Sequence, residues 1–116
     1  MPYDVSMPQQ GSTIEHASGA DEKVAEQLNR ILASKAFRQS DRLKRFLSFI
    51  VEETLAGRGE RLKEFVVGVE VFGKPESFDP RTDPIVRVQA RRLRTQLARY
   101  YSEEGHNDPL FIELPK

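Results

Sequence analysis

Apolar side chains recur at helical spacing in four separate stretches of this chain, and that recurrence constrains its fold more than any other feature. In the first stretch, Val24, Leu28, Ile31 and Leu32 follow Asp21, a residue suited to the N-cap or first turn, and the spacing predicts a helix ending near Ser34. A second predicted helix starts after Ser40 and carries the wide stripe Leu43, Phe46, Leu47, Ile50, Val51 and Leu55, with Arg42, Lys44, Arg45, Glu52 and Glu53 outside it. Gly57 and Gly59 stop it, and Gly57 is placed for a left-handed C-terminal cap. A third helix is expected from Arg61 to Val71, with Leu62, Phe65, Val66, Val69 and Phe72 inward; its β-branched residues leave a strand at 65–72 as the alternative. Lys74 to Pro84 contains Pro75, Pro80 and Pro84 and reads as an ordered loop anchored by Phe78. The fourth helix is predicted from Pro84 or Ile85 to Tyr101, with Asp83 as N-cap and Pro84 as first-turn proline.

Two terminal segments lack that periodicity. Residues 1–20 hold Pro2 and Pro8, two glycines, three serines and two glutamines, and read as a flexible tail before a single domain at 21–116. Residues 110–114, Leu-Phe-Ile-Glu-Leu, are short and β-prone and predict one strand, for which the sequence offers no obvious partner.

A length of 116 residues suits one core. The absence of cysteine excludes disulfides, thiolate chemistry and the familiar zinc frameworks. No signal-peptide pattern is visible, and no apolar run approaches the roughly 20 residues that span a bilayer, so a cytoplasmic protein without a membrane partner is expected. The acids read as surface and turn residues: Glu52–Glu53 and Glu103–Glu104 are adjacent and point in different directions on a helix, while Asp79, Asp83 and Asp108 suit turns and caps. Gly57-Arg58-Gly59 is too short for a phosphate loop and lacks the following Lys-Ser/Thr. His16 and His106 stand without partners. Phe46, Phe49, Phe65, Phe72 and Phe78 read as core residues. Neither catalysis, a cofactor, a metal nor a small-molecule substrate is expected.

Charge is the remaining signal. The total is zero, 18 bases against 18 acids, which argues against a purely electrostatic nucleic-acid binder. Its distribution is uneven. From Arg81 to Arg99 there are six arginines and one acid, Asp83. On a wheel at about 100° per residue, Val86, Ala90, Leu93, Leu97 and Tyr100 gather on one side of the fourth helix. Arg87, Arg91, Arg94 and Ala98 fall along one flank and Arg92, Thr95 and Arg99 along the other, with Val88 on the open face between them. Such a surface suits the major groove of double-stranded DNA, where Arg forks to guanine or phosphate, Gln pairs with adenine and a methyl touches thymine. The plain alternative is a solvated or ion-paired basic face.

The order Ile-Val-Arg-Val-Gln-Ala-Arg-Arg-Leu-Arg-Thr-Gln-Leu at 85–97 resembles the recognition helix of OmpR/PhoB-type effector domains. A longer resemblance covers roughly 22–116. The strings Leu-Ala-Gly-Arg-Gly, Leu-Lys-Glu-Phe, Gly-Val-Glu-Val-Phe-Gly, Phe-Asp-Pro-Arg, Asp-Pro-Ile-Val-Arg-Val and Glu-Leu-Pro-Lys are similar to a bacterial winged-helix module found at the N-terminus of adenylate-cyclase, TolB-like and tetratricopeptide proteins. The resemblance implies a mainly α winged helix-turn-helix with an extra N-terminal helix and a short C-terminal β-strand. It implies a transcription-regulator-like module in which the second helix is scaffold, the third positions and the fourth enters DNA. Gln89, Arg91, Arg92 and Arg94 then occupy contact positions, joined by Arg87 and Arg99. Two departures are visible. A proline-rich loop replaces the usual one at 74–84, and the returning wing strand is absent, so Lys116 is left as the only candidate for the wing's basic residue and the wing is rudimentary or trimmed. One module of this size binds weakly, so a homodimer is expected, joined through Tyr100, Tyr101, Val88 or the open strand. The competing reading is a protein-interaction module on the same scaffold without DNA binding, favoured by the neutral total, the missing wing and Val88.

Overall fold

The computed structural model describes residues 17–115 and contains four α-helices: α1, Ala17–Leu32; α2, Asp41–Leu55; α3, Glu64–Glu70; and α4, Ile85–Ser102. The mainly helical expectation is met. The predicted tail up to residue 16 and Lys116 lie outside the described residues, and positions 17–20 form the opening turn of α1. No helix among the described residues is long and apolar enough to cross a membrane.

Each boundary has a local cause. Ser40 adopts an extended conformation and its hydroxyl accepts the Leu43 N–H at 3.1 Å, which starts α2. Gly57, with φ +77°, ends it: the Gly57 N–H reaches the Thr54 carbonyl and the Arg58 N–H reaches that of Glu53, the paired bonds of a Schellman cap. The chain then makes a 3-10 turn at Gly59–Arg61, so α3 starts at Glu64 and not at Arg61 as its spacing suggests. This delay rotates the helix. Val67, Gly68 and Val71 face inward, and Phe65, expected inward, is 42% exposed. Gly68 is the reason. A Cβ there would lie 2.3 Å from the Phe78 ring, so the glycine face of α3 receives the loop anchor and Phe65 stacks on that ring from outside, centroids 6.3 Å apart.

Glu53 also departs from expectation. It is buried, and its carboxylate accepts from Arg58 Nε and Nη2, both at 3.0 Å, and from Arg61 Nη1 at 3.2 Å. These bonds and charges hold its pKa below the usual carboxylate value despite the opposing effect of burial, Arg58's hydrogen bond being the largest cause. The residue ties the end of α2 to the 3-10 turn and fixes where α3 begins.

The helices share one core. Val24 and Ile31 from α1, Phe46, Leu47 and Ile50 from α2, and Val86, Leu93 and Leu97 from α4 are buried together, with Phe37 plugging the α1–α2 turn. α4 packs on α2 and α3, and α1 on α2.

The predicted C-terminal strand does not form, and no strand is present among the described residues. Leu110, Ile112 and Leu114 are buried while Phe111 and Glu113 are exposed, so the period-2 pattern survives without a ladder. The physical reason is the missing partner: a strand's backbone groups need another strand, and here side chains of α4 take that place. Tyr101 Oη accepts the Ile112 N–H at 2.9 Å and donates to the Leu110 carbonyl at 3.0 Å. Arg94 donates to the carbonyls of Leu114 and Pro115, each at 3.0 Å.

Candidate nucleic-acid interface

α4 is the helix on which the candidate residues converge, and its start is well defined. The Asp83 carboxylate accepts the Ile85 N–H at 3.1 Å and pairs with Lys74 at 3.0 Å. Pro84 occupies the cap position itself, one residue earlier in helix numbering than expected. Lys74's hydrogen bond is the main cause of the lowered Asp83 pKa, which keeps this anchor ionised.

The arginines of α4 have different fates. Arg87 is spent on Glu64 of α3, at 2.7 Å, and on the Pro80 carbonyl at 3.0 Å, so it fastens the 74–84 loop and α3 to the helix. Arg94 is spent on the C-terminal segment. Arg99 is exposed and meets Glu103 only at 3.6 Å, a surface pair of little weight. The Arg91 and Arg92 side chains are exposed and make no hydrogen bond or ion pair with another described residue. Gln89, expected as a base reader, is 5% exposed and turned to the core side. The wheel carries that signal, since Gln89 falls within about 40° of Leu93 and 20° of Tyr100 at 100° per residue. It leaves the site for that reason.

Arg91, Arg92 and Arg99 share an open groove of about 660 Å³ with Val88, Thr95 and Gln96 on the α4 wall. The opposite wall is the α1–α2 connection and the start of α2: Lys35, Ala36, Gln39, Ser40 and Leu43. Four bases and no acid line this groove, in a protein whose net charge is zero. Lys35 and Gln39 were not apparent from sequence, because neither lies on the fourth helix. The signal available was weak: the Lys35–Ser40 stretch contains Arg38 as a second base and no acid.

The groove walls are fixed to each other. Gln96 Nε2 donates to the Ala36 carbonyl at 2.5 Å, and Glu104 Oε1 accepts the Lys35 backbone N–H at 2.8 Å. At the far end of α4, a polar cluster joins the turn at 103–109 to α1. Asp108 accepts from Tyr100 Oη, from Gln27 Nε2 at 2.9 Å and from Arg30 Nη1 at 3.2 Å. Burial raises the Tyr100 pKa well above its ordinary value, reinforced by the bond to Asp108. Burial also pushes Asp108 upward, but its donors outweigh that effect, Tyr100 foremost, and its carboxyl is held below the usual range.

No cluster of three or more His, Cys, Asp or Glu suited to a metal occurs among the described residues. What the groove offers is cation donors in a fixed frame: planar guanidinium forks, one ammonium and several neutral amide and hydroxyl groups. Such groups can donate charge-assisted hydrogen bonds to phosphate or carboxylate oxygens. No protein-family model, no curated protein and no solved structure matches this chain.

Proposed function

We propose that this chain is a DNA-binding module that lays α4 into the major groove of duplex DNA, on a winged-helix-like scaffold of the transcription-regulator kind. One observation carries the reading: the Arg91 and Arg92 side chains are exposed and unpaired on a helix whose Arg87 and Arg94 are already committed, at the edge of a groove whose charged lining residues are all bases. In this reading α3 and α4, joined by the Arg87-fastened loop, are the positioning and recognition helices. In the same reading the segment 110–115 takes the part of a first wing strand. Arg91 forks to a guanine edge or a phosphate, Arg92 and Arg99 reach backbone, and the methyls of Val88 and Thr95 are placed for thymine. A single module binds weakly, so two copies act together on DNA.

Titration of duplex DNA at two salt concentrations tests this. Each phosphate neutralised contributes about −0.9 to the slope of log affinity against log salt, and the Arg91→Ala/Arg92→Ala double variant is expected to lose at least the Arg92 share. Salt-insensitive binding by the parent, or a double variant that binds as tightly as the parent, would sink the proposal. The neutral total charge favours a protein-interaction module instead; that reading predicts a partner retained by the double variant with no DNA bound by either.

A further inference from the structure

A helix about 10–12 Å across fills a major groove about 12 Å wide, so the two sugar-phosphate ridges must run along its two flanks. The flanks of α4 are not equivalent. One is bordered by 110–115, where the Arg94 guanidinium is turned to backbone carbonyls and the charged exposed residue is the acid Glu113, beside exposed Phe111. The other is the acid-free groove shared with the α1–α2 turn. Resting on the DNA reading above, we infer that one strand's phosphates lie in this groove, held between Arg92 and Arg99 of α4 and Lys35 and Gln39 of the turn. This orients the module on the duplex with the α1–α2 turn over a phosphate ridge and 110–115 on the opposite side.

The turn is built to hold such ligands still. Phe37 is fully buried, the Ala36 carbonyl is bonded to Gln96, and the Lys35 N–H is bonded to Glu104, whose carboxylate does not line the groove. The Lys35 and Gln39 side chains are exposed, and neither has a partner among the described residues. Their backbone is therefore ordered before any ligand arrives, while their polar ends remain available. Ordering costs at binding are reduced in such an arrangement. The role assigned to both residues is sequence-independent positioning, with base discrimination left to Arg91.

The test follows fluorescence anisotropy of the full chain on two duplexes of different sequence across a salt series. Lys35→Ala is expected to weaken binding to both duplexes alike, roughly eightfold at 0.1 M salt, and to reduce the salt slope by about 0.9, the share of one phosphate. Gln39→Glu places an acid in the groove and should weaken binding to both duplexes without changing the ratio between them. Lys23→Ala, an exposed and unpaired lysine on α1, is the control and should leave the slope unchanged. If the parent binds with a salt slope that Lys35→Ala and Gln39→Glu both preserve, or Lys23→Ala lowers it as much as Lys35→Ala, the phosphate groove is wrong and the DNA reading stands. If the parent shows no salt-dependent duplex binding, the DNA reading fails and this inference fails with it.

Discussion

The two flanks of α4 start from similar sequence and end in opposite states. Toward 110–115, Arg94 and Tyr101 spend their polar groups on a backbone that has no strand partner, and Leu110, Ile112 and Leu114 are buried behind them. Toward 35–43, the bonds between the walls involve Gln96 and Glu104, and the bases Lys35, Arg91 and Arg92 are left free. An arginine's role on a surface helix is thus decided by what the rest of the chain brings beside it. Where an irregular backbone needs donors, guanidinium supplies them and leaves solvent. Where a neutral amide and a carboxylate meet the needs of the adjoining turn, as Gln96 and Glu104 do, the cation stays available.

The largest expected effect comes from breaking the closed flank at its apolar contact. Ile112 is 1% exposed, and Ile112→Ala removes a well-packed side chain from a segment that caps the core without a ladder. Loss of about 2–5 kcal/mol is expected by chemical denaturation. A loss under about 0.5 kcal/mol, the scale of a surface substitution, would show that 110–115 is a surface appendage and that the two flanks do not differ in the way described.

A smaller effect sharpens the comparison through pH. Asp108 has its folded pKa lowered from the ordinary 3.8. The sign follows from linkage: a depressed carboxyl binds fewer protons folded than unfolded, so its stabilisation is present above the unfolded value and is lost as pH falls through the folded one. Asp108→Asn should therefore be less stable than the parent at pH 7, and the gap should close as pH drops below about 4. Denaturant midpoints measured from pH 7 to 3 check this, and a gap that stays constant over that range would mean that the cluster owes nothing to the charge.

Much of the helical frame was legible because its signals are local. Apolar spacing, Ser40 as a cap and Gly57 as a left-handed stop each act within a few residues. The phase of α3 was not legible. Phe65 looks like a core residue, and only the contact between Gly68 and the ring of Phe78, ten residues further on, turns it outward. Glu53 was misplaced for a similar reason: a glutamate beside an apolar stripe is normally solvated, and its two arginine partners arrive only once the chain has turned at Gly57. The β-prone composition of 110–114 suggested a strand, but composition does not supply a second strand to pair with it, and none forms among the described residues. For the interface, the wheel placed Arg91 and Arg94 on one flank about 60° apart. What separates them is a segment about 20 residues downstream, which no periodicity of the helix encodes.

The smallest expected effect tests that separation directly. Arg94→Ala removes two hydrogen bonds to carbonyls that have no other partner among the described residues, at a site that is partly exposed. A loss of about 1 kcal/mol in stability is expected. Duplex affinity per folded molecule should change by less than about twofold, because the guanidinium was not available to DNA and only a long-range charge is lost. Arg91→Ala should give the reverse signature: stability within about 0.5 kcal/mol of the parent, as for an exposed residue without partners, and a clear loss of affinity that shrinks as salt is raised. Measuring both quantities on both variants makes the two arginines report on each other. If Arg94→Ala weakens duplex binding as much as Arg91→Ala while stability is untouched, the closed flank opens on DNA, the C-terminal segment yields its donor to phosphate, and the asymmetry between the flanks belongs to the free protein alone.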